Sequence, residues 1–591
     1  MRREFWMVLI VTAILLVGVV TRSAKAQGGV EHEFTSATMS DDVEIALAVG
    51  YPMGFSRDSD RKWPAIFSLH GYSSATLPAN PANFGHRCVT VNMSIRGTGA
   101  SGGKLSPWRP RSWQDGHEVI EEWIVKQPWS NGRVAIVGHS WPGLMGFMVA
   151  TTNPPSLKAV CVSGLIEDFD RGIGWSGGIR NCGFPVDWLN NYYRPDGPFG
   201  SGEAARQNRR LDEATYHGIV DSRPQRDLTE DYLWFLMYEP FDSPKLQQRS
   251  LRTHAPGIRA PILMMQTYQD EQTGPSGCWL WKHIPDEVPK RLILSNGAHN
   301  LTPGATPDLD AWFKHWLLEE GGGSVADPRR RVQVYFETSL AEGRRSFASN
   351  QPLEAADFPL PDTDWTRLYL RSGNSLSTEP SETSEGPGGY RVVHGPMTEE
   401  NERTEYVLEI EESVAICGPI VLTLWAQTTT LDTDFFALIA DQDPTGKLYG
   451  LQRGLLRASH GKVDNEKSDY VTHDGQKLLI RPRHPHTRPE PVTPYKAHRY
   501  EIEIPTVGHV FRPGHKLVLR LSRPPLGDPI GVTKSRAPSY RYDSDPPPGI
   551  VRILHDAEHP SSVLLPVLPS LPPVAEEAPP LERQAGLQVV P

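Results

Sequence analysis

A chain of 591 residues is too long for a single hydrophobic core, and at roughly 150 residues per domain it is expected to divide into two to four units. Its hydrophobic content of 38% and charged content of 22% are those of an ordinary soluble globular protein. The formal net charge of −10 supplies no basic field for a polyanion, so nucleic-acid partners are set aside.

Arg2 and Arg3 precede a mainly apolar run from Phe5 to Val20, followed by Ala24-Lys25-Ala26. That is the three-part layout of a secretory signal peptide over residues 1–26. An uncleaved anchor is the alternative, although the run is at the short end for a span of about 20 residues. No later segment is long and apolar enough to cross a bilayer. A secreted or periplasmic protein, without stable membrane association once the signal is removed, is therefore expected. The cysteines, Cys88, Cys161, Cys182, Cys278 and Cys417, are odd in number and lack C-x-x-C spacing. This argues against a zinc site and a dense disulfide framework, leaves at least one thiol unpaired, and allows one or two bridges.

From Thr35 to Tyr51 apolar and polar residues alternate as in antiparallel strands. Trp63 to Leu69 is a compact apolar run that reads as a buried strand feeding the loop His70-Gly71-Tyr72-Ser73-Ser74. The next run, Cys88 to Met93, ends in the glycine-rich stretch Ser94 to Gly103, which lacks the Gly-Lys-Ser/Thr of a phosphate-binding loop. Gln114 to Lys126 puts Val119, Ile120 and Trp123 on one helical stripe. Directly afterwards comes VAIVGHSWPGLMGFM, Val134 to Met148: a β-like run, a tight turn at Gly138-His139-Ser140, and a run with helical spacing. Strand, turn and helix in that order lift one side chain off the C-terminal edge of a parallel sheet, so Ser140 is the candidate nucleophile. By itself G-x-S-x-x-G also fits a serine capping the helix that follows.

After another strand, Lys158 to Ser163, regularity fails over residues 164–257, which read as an inserted cap over the site with an amphipathic patch at Asp227 to Met237. The parallel pattern then resumes. Pro261 to Met265 leads to Asp270, and Arg291 to Leu294 leads to His299, so each strand ends a few residues before a titratable side chain. In open α/β sheets the reactive edge is where the strands' C-terminal ends lie, and the order Ser140, Asp270, His299 is that of α/β-hydrolases. Asp286, His283 and His315 are the rivals. His315 falls within a helical pattern from Asp308 to Leu318, away from any strand end. The expected fold is α/β: an α/β-hydrolase domain over 27–163 and 258–320 with an inserted helical cap, followed by an all-β jelly-roll domain. Past Gly321-Gly322-Gly323, short alternating segments such as RVQVYFET, VLTLWAQT and KLVLRLS place that sandwich over residues 331–568. Residues 569–591, rich in Pro, Ala and Glu, read as a disordered tail.

These residues carry a resemblance to the cocaine esterase and X-prolyl dipeptidyl peptidase family of serine hydrolases. It rests on the elbow, where Trp141 replaces the family's tyrosine, on SIRGTGASGG and QDGHEVIEEWIVKQPWSNGRVAIVGHS upstream, and on TDFFALIAD, VFRPGHKLVLRLS and ILHDAEHPSSVLLPVLP in the β region. The resemblance implies Ser140 as nucleophile, His299 as base and Asp270 as its orienting acid. It also implies an oxyanion hole made by the Trp141 backbone N–H and the Tyr72 phenol. No metal or organic cofactor is expected, and the substrate is expected to be a small ester or short peptide. Amino-acid ester hydrolases of the family hold a substrate ammonium with carboxylates two and three positions after the triad aspartate. Here Gln272 and Thr273 stand there and Glu271 falls one position out, which favours an acyl esterase. An X-Pro dipeptidyl peptidase or amide acylase, and an inactive secreted binding protein, are the alternatives. Trp175, Trp188, Tyr192 and Tyr193 are candidates to line an apolar acyl pocket, with packing of the cap as the other reading.

Overall fold

Short apolar runs punctuated by glycine and proline turns form one mixed sheet, because a strand buried on both faces needs a continuous apolar sequence and a break at each end. A computed structural model describes residues 24–25, 31–71, 80–99, 101–105, 108–186, 188, 239–299, 305–321, 325, 327–340, 344–349, 351–393, 402–525 and 541–574. Nearly all of the signal segment, the patch at 227–237 and most of the tail lie outside these residues. Among the described residues no helix is long and apolar enough to cross a membrane.

After a two-residue edge strand at Ala24–Lys25, the sheet runs into an antiparallel pair, β1 (Glu31–Thr38) and β2 (Glu44–Gly50). It continues with β3 (Trp63–His70), β4 (Val89–Ser94), β5 (Ser130–His139), β6 (Leu157–Ser163), β7 (Ile262–Thr267) and β8 (Lys290–Ser295). From β1 onward the spatial order is β1, β2, β4, β3, β5, β6, β7, β8, and every pair from β4 to β8 is parallel. Helix α1 (Pro110–Glu118) runs on into a wider turn at Val119–Ile124 before β5 begins, and helix α2 (Trp141–Thr151) follows β5. Helix α2 is buried from Trp141 to Ala150. Helix α1 and the segment 251–257 pack over the faces that β5 and β6 do not cover, which is why its sequence is apolar all round rather than on one stripe. Helix α3 (Ala305–Trp316) follows β8.

Two findings go beyond the sequence reading. The short strands β9 (Val332–Val334) and β10 (Leu353–Ala355) belong to the first sheet. Strand β9 pairs in parallel with β8, and β10 antiparallel with β9. These two strands extend the catalytic sheet beyond β8, which would otherwise present an unpaired edge. All five cysteines are free, four of them buried. The bridges that the sequence left open do not form.

The second unit is mainly antiparallel. Strand β11 (Val414–Thr428) pairs with β14 (His498–Phe511), and β12 (Asp434–Gln442) pairs with both β13 (Leu448–Arg457) and β15 (Lys516–Ser522). A separate core including Leu422, Ile439, Leu451, Ile502 and Leu519 fills it. The described part of the inserted stretch binds this unit tightly. Arg171 donates to the carbonyls of His484 at 2.9 Å and Pro485 at 2.7 Å. Glu167, fully buried, accepts from the two terminal nitrogens of the Arg481 guanidinium at 3.1 and 2.5 Å, and Arg481 Nε donates to Glu503 at 2.7 Å. Burial would raise the Glu167 carboxyl, but the Arg481 charge prevails and holds it well below the usual carboxylate range. A buried pair of this kind is costly to break from one side only. Arg481→Met should lower the unfolding free energy by about 3–5 kcal/mol. Urea denaturation followed by tryptophan fluorescence checks this, and a loss below about 1 kcal/mol would mark the pair as no better than an exposed one.

Candidate active site

Ser140 stands between β5 and α2 at φ 62° and ψ −132°, a conformation that an L-residue holds only under constraint. The constraint is close packing. A Cβ added to Gly138 would lie 2.4 Å from the Pro142 backbone, and one added to Gly143 would lie 2.5 Å from the Ser163 carbonyl oxygen. Those two contacts explain the unusual spacing. The second glycine is needed where α2 passes over the end of β6, and Pro142 sits in the first helical turn, where a missing N–H is harmless. The Ser140 N–H donates to the Ser163 carbonyl at 3.0 Å, and the Ser140 carbonyl accepts from Leu144 at 2.8 Å. Its side chain makes no capping hydrogen bond, so the reading of this serine as a helix cap fails.

The ends of β7 and β8 bring Asp270 and His299 together. His299 Nδ1 lies 3.0 and 2.9 Å from the two Asp270 carboxylate oxygens. The carboxylate is also held by the backbone N–H groups of Gln272 at 2.9 Å and Thr273 at 2.8 Å, and by the Thr273 hydroxyl at 2.6 Å. Burial favours the neutral acid. The His299 charge and hydrogen bond and the two Thr273 donors outweigh it, and the Asp270 carboxyl falls to about 2. With an ionised acceptor at Nδ1, the neutral imidazole carries its proton there and leaves Nε2 as the base. Nε2 is buried and makes no hydrogen bond, so the contact that would carry a proton from Ser140 is not closed in this conformation. Ser140 and His299 nevertheless border the same glycine: a Cβ on Gly164 would lie 2.9 Å from His299 Cε1 and 3.2 Å from the Ser140 nitrogen.

The rivals are engaged elsewhere. Asp286 pairs with Lys290 at 2.9 Å, His283 lies 3.0 Å from Glu167, and His315 lies 3.2 Å from the Gly321 carbonyl. Among the described residues no group of His, Cys, Asp and Glu could hold a metal ion.

The expected aromatic pocket is only partly as the sequence suggested. Trp188 meets the Trp141 ring at 5.3 Å and the Trp108 ring at 5.9 Å, while Trp108 also meets Trp141 at 5.5 Å and Phe169 at 4.9 Å. Trp175 instead lies in a small hairpin, with Arg180 6.0 Å from its ring. Tyr192 and Tyr193 lie outside the described residues, and so does Tyr72. Its neighbour Gly71 is packed so closely on Trp141 that a Cβ there would lie 2.4 Å from the indole. Trp108 and Phe169 escaped the sequence reading because single aromatics in irregular loops carry no periodicity.

Gln269 escaped it as well. Its side chain accepts from the Gly297 N–H at 2.7 Å and donates to Glu337 at 3.1 Å, locking the Asp270 loop to the His299 loop and to the strand entering the β unit. Glu271 accepts the His299 backbone N–H at 2.8 Å.

Residues 41–300 match the family described as X-Pro dipeptidyl-peptidase (S15 family), and residues 326–564 match the X-Pro dipeptidyl-peptidase C-terminal non-catalytic domain. The chain is 22% identical to the cocaine esterase of a Rhodococcus species, over 90% of this chain and 97% of that one. It is 24% identical to the Xaa-Pro dipeptidyl-peptidase of Lactobacillus delbrueckii subsp. lactis, over 48% of this chain and 36% of that one. A CocE/NonD family hydrolase from Staphylococcus aureus has the same fold, with a TM-score of 0.71 at 21% identity over 92% of this chain and 95% of that one. An α-amino acid ester hydrolase superposes with a TM-score of 0.67 at 17% identity, over 94% of this chain and 100% of that one.

His299 can accept a proton only while neutral. Burial pushes its pKa down, but the Asp270 charge and hydrogen bond and the Glu271 charge push it up and prevail, leaving it raised over an ordinary imidazole. Activity should therefore fall as pH drops through this raised value, earlier than for an ordinary histidine base. Glu271→Gln keeps an acceptor for the His299 N–H and removes one raising charge, so the acid limb of kcat/KM should move to lower pH. A limb that stays put or rises would contradict this account of the site.

Proposed function

We propose that this chain, which belongs to the cocaine esterase and X-Pro dipeptidyl-peptidase (S15) family of serine hydrolases, hydrolyses carboxylic esters through an acyl intermediate on Ser140. One observation carries the reading. A buried Asp270–His299 pair with an unpartnered Nε2 sits at the strand ends beside a serine held at φ 62° without a capping bond.

In this mechanism the Ser140 oxygen attacks the ester carbonyl as His299 Nε2 takes its proton. Asp270 stays ionised and stabilises the imidazolium. The carbonyl oxygen becomes negative in the tetrahedral intermediate. The donors proposed for it are the Trp141 N–H, at the positive end of α2, and the Tyr72 phenol. Collapse of the intermediate expels the alcohol with the proton from His299. Water, deprotonated by the same imidazole, then attacks the acyl-serine and restores the enzyme.

The side chains after Asp270 favour an ester over a substrate with a free amine. The Thr273 hydroxyl is committed to Asp270 at 2.6 Å, and the two Glu271 carboxylate oxygens accept from the His299 N–H at 2.8 Å and the Gln272 amide at 3.3 Å, so both side chains are already engaged within the site. Trp108, Trp141, Phe169 and Trp188 form a buried aromatic cluster beside the elbow, which is read here as the wall against which an acyl group would lie. The second unit is read as a jelly roll. Residues 1–26 are read as an export signal, supported by Arg2, Arg3, the apolar run and Ala24-Lys25-Ala26.

A fluorophosphonate probe should label Ser140 and leave Ser140→Ala unlabelled; a folded wild-type protein that stays unlabelled would overturn the acyl-serine reading. A short-chain p-nitrophenyl ester should be turned over with higher kcat/KM than an X-Pro-p-nitroanilide, and the reverse order would make the protein a dipeptidyl peptidase. Tyr72→Phe should lower kcat by roughly 10²- to 10³-fold with KM little changed, because it removes one donor to a charge that exists only in the transition state. Near-normal kcat in a folded Tyr72→Phe protein would assign that donation to another group.

A further inference from the structure

The triad leaves one titratable neighbour unused. His139 immediately precedes Ser140, and its ring lies against that of His299 with centroids 4.5 Å apart and planes inclined by 33°. Both rings rest on Gly164, where an added Cβ would lie 2.9 Å from His299 Cε1 and 3.1 Å from His139 Cε1. Gly164 has a φ of +63°, so backbone conformation and space both reserve this floor for glycine. His139 is in turn held by Ser163, its Nδ1 lying 2.8 Å from the Ser163 hydroxyl. The carbonyl of the same Ser163 holds the Ser140 N–H at 3.0 Å, so one residue at the end of β6 fixes both the nucleophile's backbone and the ring beside the base.

We propose that His139 is a positioning residue for the triad, a neutral aromatic face that supports His299 and stabilises the imidazolium formed when His299 takes the proton from Ser140. The inference rests on the acyl-serine reading. In the step concerned, the Ser140 O–H bond breaks and an N–H bond forms at His299 Nε2. The oxygen–carbonyl carbon bond forms, and the carbonyl electron pair moves onto oxygen. His139 neither gains nor loses a proton. A cation over a neutral ring is attracted by the ring's negative face, most strongly where water is excluded, and His299 is only 6% exposed.

The groups facing His299 are the Asp270 carboxylate at Nδ1, the Glu271 carboxylate at its backbone N–H, and the His139 ring on its flank. Two adjacent imidazolium ions would repel. Burial and the neighbouring His299 together push the His139 pKa down to about 3, so His139 remains neutral wherever His299 titrates. The two adjacent rings thus divide their roles: one is hydrogen-bonded to a carboxylate and takes the charge, the other is hydrogen-bonded to a hydroxyl and does not.

The test separates the ring from its hydrogen bond. His139→Gln keeps a polar link to Ser163 but has no aromatic face, and it should lower kcat by about ten-fold and move the acid limb of kcat/KM to lower pH. His139→Phe keeps the face and loses the link, and it should recover to within about three-fold of wild type with the wild-type acid limb. Melting temperatures and fluorophosphonate labelling of the wild type accompany both. A folded His139→Gln protein with unchanged kcat and acid limb would overturn the proposal. So would a His139→Phe protein as impaired as His139→Gln, because the polar link to Ser163 would then be what matters. Failure to label wild-type Ser140 would instead remove the acyl-serine reading itself, before the variants are compared.

Discussion

The close approach of helix α2 to the ends of β5 and β6 is the constraint on which the site depends. The backbone can hold Ser140 at φ 62° because Gly138 and Gly143 leave no Cβ between the helix and the strand ends. The helix pays no penalty for the approach, since it is buried on all sides and its apolar residues are held from both the sheet and the covering segments. The strained φ is therefore a consequence of packing that lies elsewhere, and it leaves the serine hydroxyl free of the capping bond that its position would otherwise invite. The same packing sets the N-terminus of α2 directly after the serine, where backbone donors converge on any charge that forms beside it.

A second constraint comes from the β unit, which holds the loops that carry the triad. Gln269 joins the Asp270 loop to Gly297 and to Glu337, and Gln452 donates to the Tyr268 carbonyl at 2.7 Å and to the Thr506 carbonyl at 3.1 Å. Glu337 lies 3.5 Å from His509, which lies 2.9 Å from Asp441, which in turn lies 2.9 Å from His515. This buried polar chain links the end of β7 to the interior of the second unit. Buried polar groups are costly unless each finds a partner, so such a chain fixes one docking arrangement and penalises others. On the far side, Glu167, Asp168 and Arg171 of the inserted stretch are ion-paired with Arg481, Arg483 and Asp242. Glu167, Asp168, Arg171, Arg481 and Arg483 line a cavity of about 100 Å³ that also includes Arg252, Ser276 and Arg453, at the junction of the catalytic sheet, the inserted stretch and the β unit.

Electrostatics at the centre follow from this enclosure. Burial alone would neutralise Asp270 and strip His299 of its basicity. Paired with each other and supplied with donors from Thr273, they move the opposite way, the acid to about 2 and the imidazole above its ordinary value. His139, equally enclosed but paired with a hydroxyl, follows burial downward. The partner, more than the depth of burial, decides the direction in each case.

Much of this was legible in the sequence because it is written in local pattern. Short apolar runs broken by turn residues marked β3 to β8 as parallel strands, and a strand–turn–helix elbow after one of them and a titratable residue a few positions beyond two others marked Ser140, Asp270 and His299 before any contact was seen. Chain order then restricted how they meet, since parallel strands carry their C-terminal ends to one edge. What the sequence could not decide is set by contacts between residues far apart along the chain. Whether Ser140 caps its helix or stands free depends on how closely α2 lies on Ser163. Residues 332–334 and 353–355 join the first sheet because β8 offers an edge, a fact of assembly with no local signature. The ring of His139 beside His299, the span of Gln269 between two loops, and the grouping of Trp108 and Phe169 with Trp141 arise only when separate loops are packed together, so only the tertiary structure decided them.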